Sequence, residues 1–388
     1  MERITTRAFG LAFAANLLMG LTFALFIHFA GFLVELGATE ATIGIIIGFG
    51  SVGSLLVRPY VGQLMDKIGR RPLIHAGNVI NLLSLVALTT VSSISLWLYV
   101  LVFVHGVVEA VLFSAIITYV ADIVPESRRT EGMALFGVSA QLPLALGGLL
   151  GDFVLRSYSY DTLFWVASCL AGAALFTGLP LAESRSASTR PTRGFLVAVR
   201  QRDLSPIWLI TAAFSLTLIS IFTFLKTYID TSGNGSVGIF FSIYSTVAIA
   251  IRLGARQLPA KFGELPVLTV SLMVMSAGMV TLGFATSTWM IAVAGATAGL
   301  GHGFTFPILN SLVVARSTAE ERGSALSGFL SFFPLAALLG APILGWIIQT
   351  FGYTAMYTTV AAQLFIVAVG HSRWEQRRSK TLSAADSR

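Results

Sequence analysis

The sequence predicts an all-α membrane protein of twelve transmembrane helices, arranged as two pseudo-symmetric bundles of six. Three observations carry that prediction. Of the 388 residues, 55% are hydrophobic and 11% charged, and the mean hydropathy is +0.82. A soluble domain carries about 25% charged residues and needs them to cover its surface. Apolar runs of about 20 residues, long enough to cross a ~30 Å hydrocarbon core, recur along the chain. The pattern in the first half of the chain returns in the second. The alternating segments of about ten residues that mark an outer-membrane barrel are absent.

The apolar runs place helices near 8–34, 41–65, 72–92, 96–122, 130–155, 161–181, 205–228, 236–258, 266–286, 289–315, 323–349 and 353–372. The start, "MERITTRAFGLAFAANLLMG", has the basic opening of a signal peptide. Its apolar run continues to about Val34, too long for a cleavable segment, so it is read as the first membrane helix. With the N-terminus inside, Lys67, Arg70, Arg71, Arg128, Arg129 and Lys261 fall in inside loops, as do Arg185, Arg190, Arg193, Arg200, Arg202 and Arg322. Arg3, Arg7, Arg373, Arg377, Arg378, Lys380 and Arg388 lie in the tails, also inside. Arg156, with Lys226 near the boundary, is left outside. This asymmetry sets both termini in the cytoplasm of a cell (inner) membrane. The net charge of +7 therefore reflects membrane insertion and gives no reason to expect nucleic acid.

Residues 182–204, "AESRSASTRPTRGFLVAVRQRDL", are the one long polar interruption. They divide the chain into an N-terminal bundle (1–181), a cytoplasmic central loop (182–204), a C-terminal bundle (205–372) and a tail (373–388). "RPYVGQLMDKIG" from Arg58 returns 194 residues later as "RLGARQLPAKFG" from Arg252. Gln63, Leu64, Lys67 and Gly69 then meet Gln257, Leu258, Lys261 and Gly263. Gly44 meets Gly238 and Gly151 meets Gly345 at the same offset. "HG" at His105 reappears at His302, and "RTEGMALFG" from Arg129 is echoed by "RGSALSGF" from Arg322. An even number of helices per repeat makes the repeats parallel, an arrangement found in transporters with a midplane site between halves.

"GQLMDKIGRR", from Gly62 to Arg71, lies between the second and third helices. It resembles the loop motif of the major facilitator superfamily, Gly-x-Leu-x-Asp-Arg-x-Gly-Arg-Arg, with Lys67 in the first basic slot. The second-half copy carries Ala260 where the aspartate would stand. The resemblance implies the family's fold, a secondary transporter that works by rocking the two bundles. It also implies a latch. Gly62 would admit a neighbouring helix and Gly69 would permit the turn. Asp66 would sit against the N-terminal end of the eleventh helix, near Gly323. Asp122 would receive Arg70, with Arg71 alongside.

An ionisable residue at mid-membrane costs roughly 2.5–3.5 kcal/mol in insertion assays, so each must face protein or a wet cavity. Glu109 lies in the middle of the fourth helix, with His105 one turn before it on the same face. His302 lies mid-way along the tenth helix and His28 in the outer part of the first. In the family, the first, fourth, seventh and tenth helices line the cavity. That places His28, His105, Glu109 and His302 there, with Asn16 and Asn310 on the same helices and Gln141 on the fifth. Glu109, with His105 and His28, is the expected proton-coupling set. Lys226 and Asp230 form an i,i+4 pair at the outer boundary. Arg58 and Arg252 are placed near the inner ends of their helices, either gating the cytoplasmic mouth or reaching to headgroups. The chain's 28 Phe and few buried charges point to an apolar cavity and away from a strongly charged substrate.

"GVSAQLPLALGG" (137–148) partly matches the family's antiporter motif. Gly147 and Gly148 fit, Pro143 is displaced, and Leu142 stands where a glycine is usual. Val102 and His105 replace the family's frequent arginine and glutamine on the fourth helix. No nucleotide loop, metal-ligand spacing or catalytic triad is present. "GLGHGF" is mid-membrane and lacks the phosphate-loop lysine. One cysteine, Cys169, excludes an intramolecular disulfide and a thiolate-rich metal site. The expectation is a monomeric transporter rather than an enzyme, with no cofactor and no nucleic-acid partner. Its partners are a small-molecule substrate, protons and the lipid bilayer. Proton-driven export is the leading mode. Proton-coupled import and a non-transporting receptor or assembly factor on the same fold are the alternatives.

Overall fold

The structure, a computed structural model, describes residues 4–184, 202–255, 257–318 and 322–386. Arg3, Arg185, Arg190, Arg193, Arg200 and Arg388 lie outside them. The first six membrane helices are α1 (Arg7–Glu35), α2 (Glu40–Ile68), α3 (Arg70–Leu88), α4 (Leu96–Ile123), α5 (Arg129–Ser157) and α6 (Tyr160–Gly178). The second six begin with α7 (Ser205–Ser232), α8 (Val237–Gly254), α9 (Glu264–Gly283) and α10 (Thr288–Arg316). The stretch Arg322–Asp386 breaks at Gly352, whose φ is 83°, and so yields α11 before the break and α12 after it. The described residues contain helices and turns and no strand.

Local chemistry sets these boundaries. Thr6, Thr39, Ser159, Ser236 and Ser287 each turn a side-chain oxygen onto a free N–H of the first turn that follows. Gly233, at φ 66°, ends α7 in the left-handed conformation. Gly69 and its repeat mate Gly263 take φ 106° and 90° immediately before α3 and α9. That conformation favours glycine and makes the two hairpins equivalent. α8 ends earlier than expected, at Gly254, and a separate short turn, Leu258–Phe262, completes the second hairpin. α1 tightens into a 3-10 turn at Phe26–His28.

Contact between the halves is concentrated in three helix pairs: α2 with α11, α5 with α8, and the outer part of α1 with α7. The first two pairs are repeat mates. Their glycines meet backbone directly. A Cβ on Gly44 would strike the carbonyl of Ala341, and one on Gly345 the carbonyl of Glu40. One on Gly148 would come within 3.2 Å of the Cα of Gly238, and one on Gly238 within 2.9 Å of the Cα of Leu149. In lipid no hydrophobic effect draws helices together, so such small-residue seams supply the attraction through close packing.

The seams stop half-way. Gly62 follows Gly44 by eighteen residues, about five helical turns, and so shares its face of α2. Gly137 precedes Gly148 by eleven residues, about three turns, on α5. A Cβ on Gly62 or Gly137 would meet nothing within 4 Å. The halves are therefore closed at the face that carries Glu40 and Gly345, the far face. They are parted at the face that carries Lys67, Arg70 and Arg71, the basic face.

The seam predicts that Gly44→Leu forces α2 from α11 at a cost of about 1–3 kcal/mol. Ala337, 4% exposed beside Gly48, then becomes reachable. In protein with Cys169→Ser, a cysteine replacing Ala337 should react with an impermeant maleimide from the far face only when Gly44→Leu is also present. Equal labelling in both backgrounds would show that the seam does not hold the halves together.

Candidate functional site

At the basic face, Gly69 and Arg70 organise the α2–α3 hairpin. The Arg70 guanidinium is buried, with 5% of the side chain exposed. Its Nε donates to Asp122 Oδ2 on α4 at 3.1 Å, and its Nη1 donates to the Met65 carbonyl at 3.2 Å, capping the end of α2. Nη1 also stands 3.4 Å from Asp66. Glu183, just beyond α6, accepts the backbone N–H groups of Arg70 (2.9 Å) and Arg71 (3.3 Å) at the start of α3. That is a carboxylate at a helix N-terminus. Arg71 also donates to the Leu179 carbonyl. The sequence reading missed Glu183, because nothing local links it to a loop more than a hundred residues earlier.

Asp66 is the free end of this cluster. Its side chain is 56% exposed, and Arg70 is its ion-pair partner. Residues 319–321, which lead into α11, lie outside the described residues. Gly62, expected to admit a neighbouring helix, meets none because the halves are parted here.

Four polar groups reach toward the middle of the membrane: Arg58 and Glu109 in the N-terminal half, and Arg252 with Gln141 across the halves. Arg58 lies ten residues before the end of α2, about 15 Å up the helix, and not near the inner end as expected. It donates to Ser54 at 3.4 Å; its charge is felt by Glu109 on α4, with no ion pair within 4 Å between the two. Glu109 is exposed although it stands in the middle of α4, which fits a side chain open to the parted space. Arg252 on α8, the repeat mate of Arg58, lies over the Phe306 ring at 6.0 Å. With its amide oxygen turned toward Arg252, Gln141 on α5 accepts from the guanidinium at 3.1 and 3.3 Å, joining the two halves.

His105 does not turn toward Glu109; its ring stacks on Phe26 with centroids 3.6 Å apart, and Nδ1 is buried without a partner. His302 is hydrogen-bonded through Nδ1 to the Tyr244 hydroxyl. His28 is fully buried in the 3-10 turn of α1 against Gly151, with both ring nitrogens lacking a hydrogen bond. Asn16 donates to Ser139 of α5 at 2.8 Å, inside the N-terminal half. Asn310 is half-buried on α10. Lys226 and Asp230 form their i,i+4 pair at 2.5 Å.

The far face is tied across the halves by two carboxylates that the sequence reading left aside. Glu40 accepts from Tyr353 of α12 at 2.5 Å and from Thr227 of α7 at 3.3 Å. Asp152 of α5 accepts the Gly238 N–H at the start of α8 at 2.7 Å.

The family model of the Major Facilitator Superfamily matches residues 11–264 and 235–386. The chain belongs to the major facilitator superfamily. It is 22% identical over 351 residues to the staphylopine export protein of Staphylococcus aureus, covering 86% of this chain and 87% of that one. It is 25% identical over 325 residues to the inner membrane transport protein YajR of Escherichia coli, covering 80% and 70%. Among solved structures, the nucleoside transporter NupG superposes with a TM-score of 0.77 at 11% identity, covering 95% and 99%. The human organic anion transporter MFSD10 superposes with a TM-score of 0.72 at 18% identity, covering 94% and 98%. As a superfamily member the chain is a multi-pass membrane transporter of a small substrate, and not an enzyme.

Within this superfamily architecture, Asp66→Asn should change unfolding stability by no more than an exposed substitution does, about ±0.5 kcal/mol, while slowing transport turnover. Asp122→Ala strips a buried guanidinium of its α4 partner and should cost about 1–3 kcal/mol. Paired thermal unfolding and transport assays check both. A tenfold loss of substrate affinity in Asp66→Asn at normal turnover would contradict a conformational role.

Proposed function

We propose that this chain is a proton-coupled secondary transporter that exports a small organic molecule, with Glu109 carrying the proton. The basic face is cytoplasmic by its excess of Lys and Arg, so the described conformation is closed outside and parted inside. The observation that carries the reading is Glu109, an exposed carboxyl in the middle of α4 within electrostatic reach of Arg58. Glu109 is the one carboxyl at mid-depth on α1, α4, α7 or α10; Asp122 is at one boundary, and Glu35 and Asp230 are at the other. Ionised, it balances Arg58. Protonated, it leaves Arg58 unbalanced in the space between the halves. A change of charge there alters the cost of closing that space, and this differential stabilisation is what coupling requires. Export is supported by the similarity to the staphylopine export protein and by the small-residue packing of α5, where Gly147 meets Ala24 and Gly148 meets Gly238.

Proton-coupled import is the second reading, and Arg58 favours it. Neutralising Glu109 frees that guanidinium for an acidic substrate, so proton and substrate would bind together. The packing of the half-buried His105 ring against Phe23 and Phe26 argues against a part for it in a relay.

Proteoliposomes separate these readings. Wild-type protein should accumulate a compound selected by thermal-shift screening when the lumen is acidic if it exchanges substrate for protons. It should do so when the lumen is alkaline if it carries both together. Glu109→Gln mimics the neutral acid. It should abolish accumulation driven by either gradient while preserving counterflow between the two faces. Unchanged gradient-driven accumulation by Glu109→Gln would remove Glu109 from the mechanism.

A further inference from the structure

The repeat sets up a comparison between two arginines. Arg58 and Arg252 are mates at the same position of α2 and α8, and each faces the fourth helix of its own half. His105 on α4 matches His302 on α10, so Glu109, four residues on, matches Phe306. In the N-terminal half the arginine has a carboxylate before it. In the C-terminal half the same place holds a phenyl ring.

Arg252, in the last turn of α8, therefore reaches toward the middle of α5 and α10 without an acidic partner among the described residues. Its neighbours are the Gln141 amide oxygen, the Phe306 face and the Tyr244–His302 pair. Its Nε is buried and makes no hydrogen bond. A cation over an aromatic face is weakly attracted, and a neutral amide gains less than a carboxylate would. An ionisable side chain drawn into the membrane interior pairs with an opposite charge as a rule, and neither neighbour supplies one. A guanidinium held this way, with donors unused and a ring alongside, fits a missing anion.

We propose that Arg252 anchors a site for an organic anion. Its guanidinium would receive a carboxylate or sulfonate group, and Phe306 would lie against an aromatic or other planar part of the same molecule. Gln141 holds the guanidinium from the opposite half, so an anion on Arg252 bears on the contact that joins the halves. Arg58, within electrostatic reach of the Glu109 carboxylate, is the weaker anchor. This replaces the expectation of a substrate without strong charge, which rested on the chain's 28 Phe and few buried charges. The inference rests on the reading of the parted space as the substrate path.

The test is equilibrium binding, without a proton gradient, to the full chain in lipid nanodiscs. The probes are benzenesulfonate and naphthalene-2-sulfonate, which are permanent anions. Each is compared with its uncharged sulfonamide and with an aromatic ammonium of the same size. Thermal stabilisation against concentration gives the affinity. At least one sulfonate should bind saturably and about tenfold or more tightly than its sulfonamide, and the ammonium should not stabilise. Arg252→Gln should weaken sulfonate binding roughly ten- to hundredfold, the range for a hydrogen bond to a charged group. Should that variant fail to fold, Arg252→Lys keeps the charge but loses the planar fork, and should weaken binding several-fold. Equal binding of sulfonate and sulfonamide, preference for the ammonium, or unchanged sulfonate affinity in a folded Arg252 variant would overturn the site. Glu109→Gln separates this inference from the proton reading, because the dependence on Arg252 should persist in that background: adding Arg252→Gln to it should again weaken sulfonate binding roughly ten- to hundredfold. Loss of proton coupling with binding intact leaves the anion site standing. Intact coupling without sulfonate binding removes the anion site alone.

Discussion

Backbone-to-backbone contact along two glycine seams is the constraint on which the arrangement of this protein depends. Gly44 and Gly345 on the α2–α11 pair, and Gly148 and Gly238 on the α5–α8 pair, bring helices of opposite halves to a distance that no larger residue permits. Lipid tails are as apolar as the side chains they meet, so the halves gain little from burying leucine or phenylalanine against each other. Packing at short range supplies the attraction instead, and it falls away as soon as the helices part. An interface of this kind can be made and broken. The same faces of α2 and α5 carry Gly62 and Gly137 nearer the basic face, where nothing lies against them.

Polar groups add to closure where the seams are tight. Glu40 gathers Tyr353 and Thr227 from the opposite half, and Asp152 takes the first free N–H of α8. Each of these bonds crosses between halves, so each is lost if the far face opens. At the basic face the ionic cluster of Arg70, Asp122 and Glu183 binds helices of the N-terminal half to one another. It stabilises one rocking body and leaves Asp66 exposed. The charges at mid-depth lie between these two layers.

The twelve spans were legible because apolar length and basic loops are one-dimensional signals. So was the repeat, and the equal positive φ at Gly69 and Gly263 follows from it. The depth of Arg58 was misread because α2 runs on to Ile68, whereas Arg252 does lie in the last turn of α8. Three residues of error on a helix is about 4.5 Å, enough to move an arginine from the mouth toward the middle. The match of Glu109 to Phe306 was available by continuing the alignment from His105 and His302. Glu40, Asp152 and Glu183 were not legible. Their partners lie 86 to 313 residues away, and spacing says nothing about contacts made by rotating one bundle against another. Nor does an i,i+4 spacing decide which neighbour a ring prefers: His105 chose Phe26.

The central claim is that the two faces open in alternation because the halves rock as bodies. Pulsed electron–electron distance measurement between spin labels tests it most directly. One pair replaces Lys67 and Lys261, repeat mates exposed at the basic face; the other replaces Thr39 and Thr288, exposed at the far face. The account predicts two distances for each pair, with populations that change in opposite senses as pH or ligand is varied, so that a shorter basic-face distance accompanies a longer far-face one. A single fixed distance in both pairs, or both faces lengthening together, would contradict it.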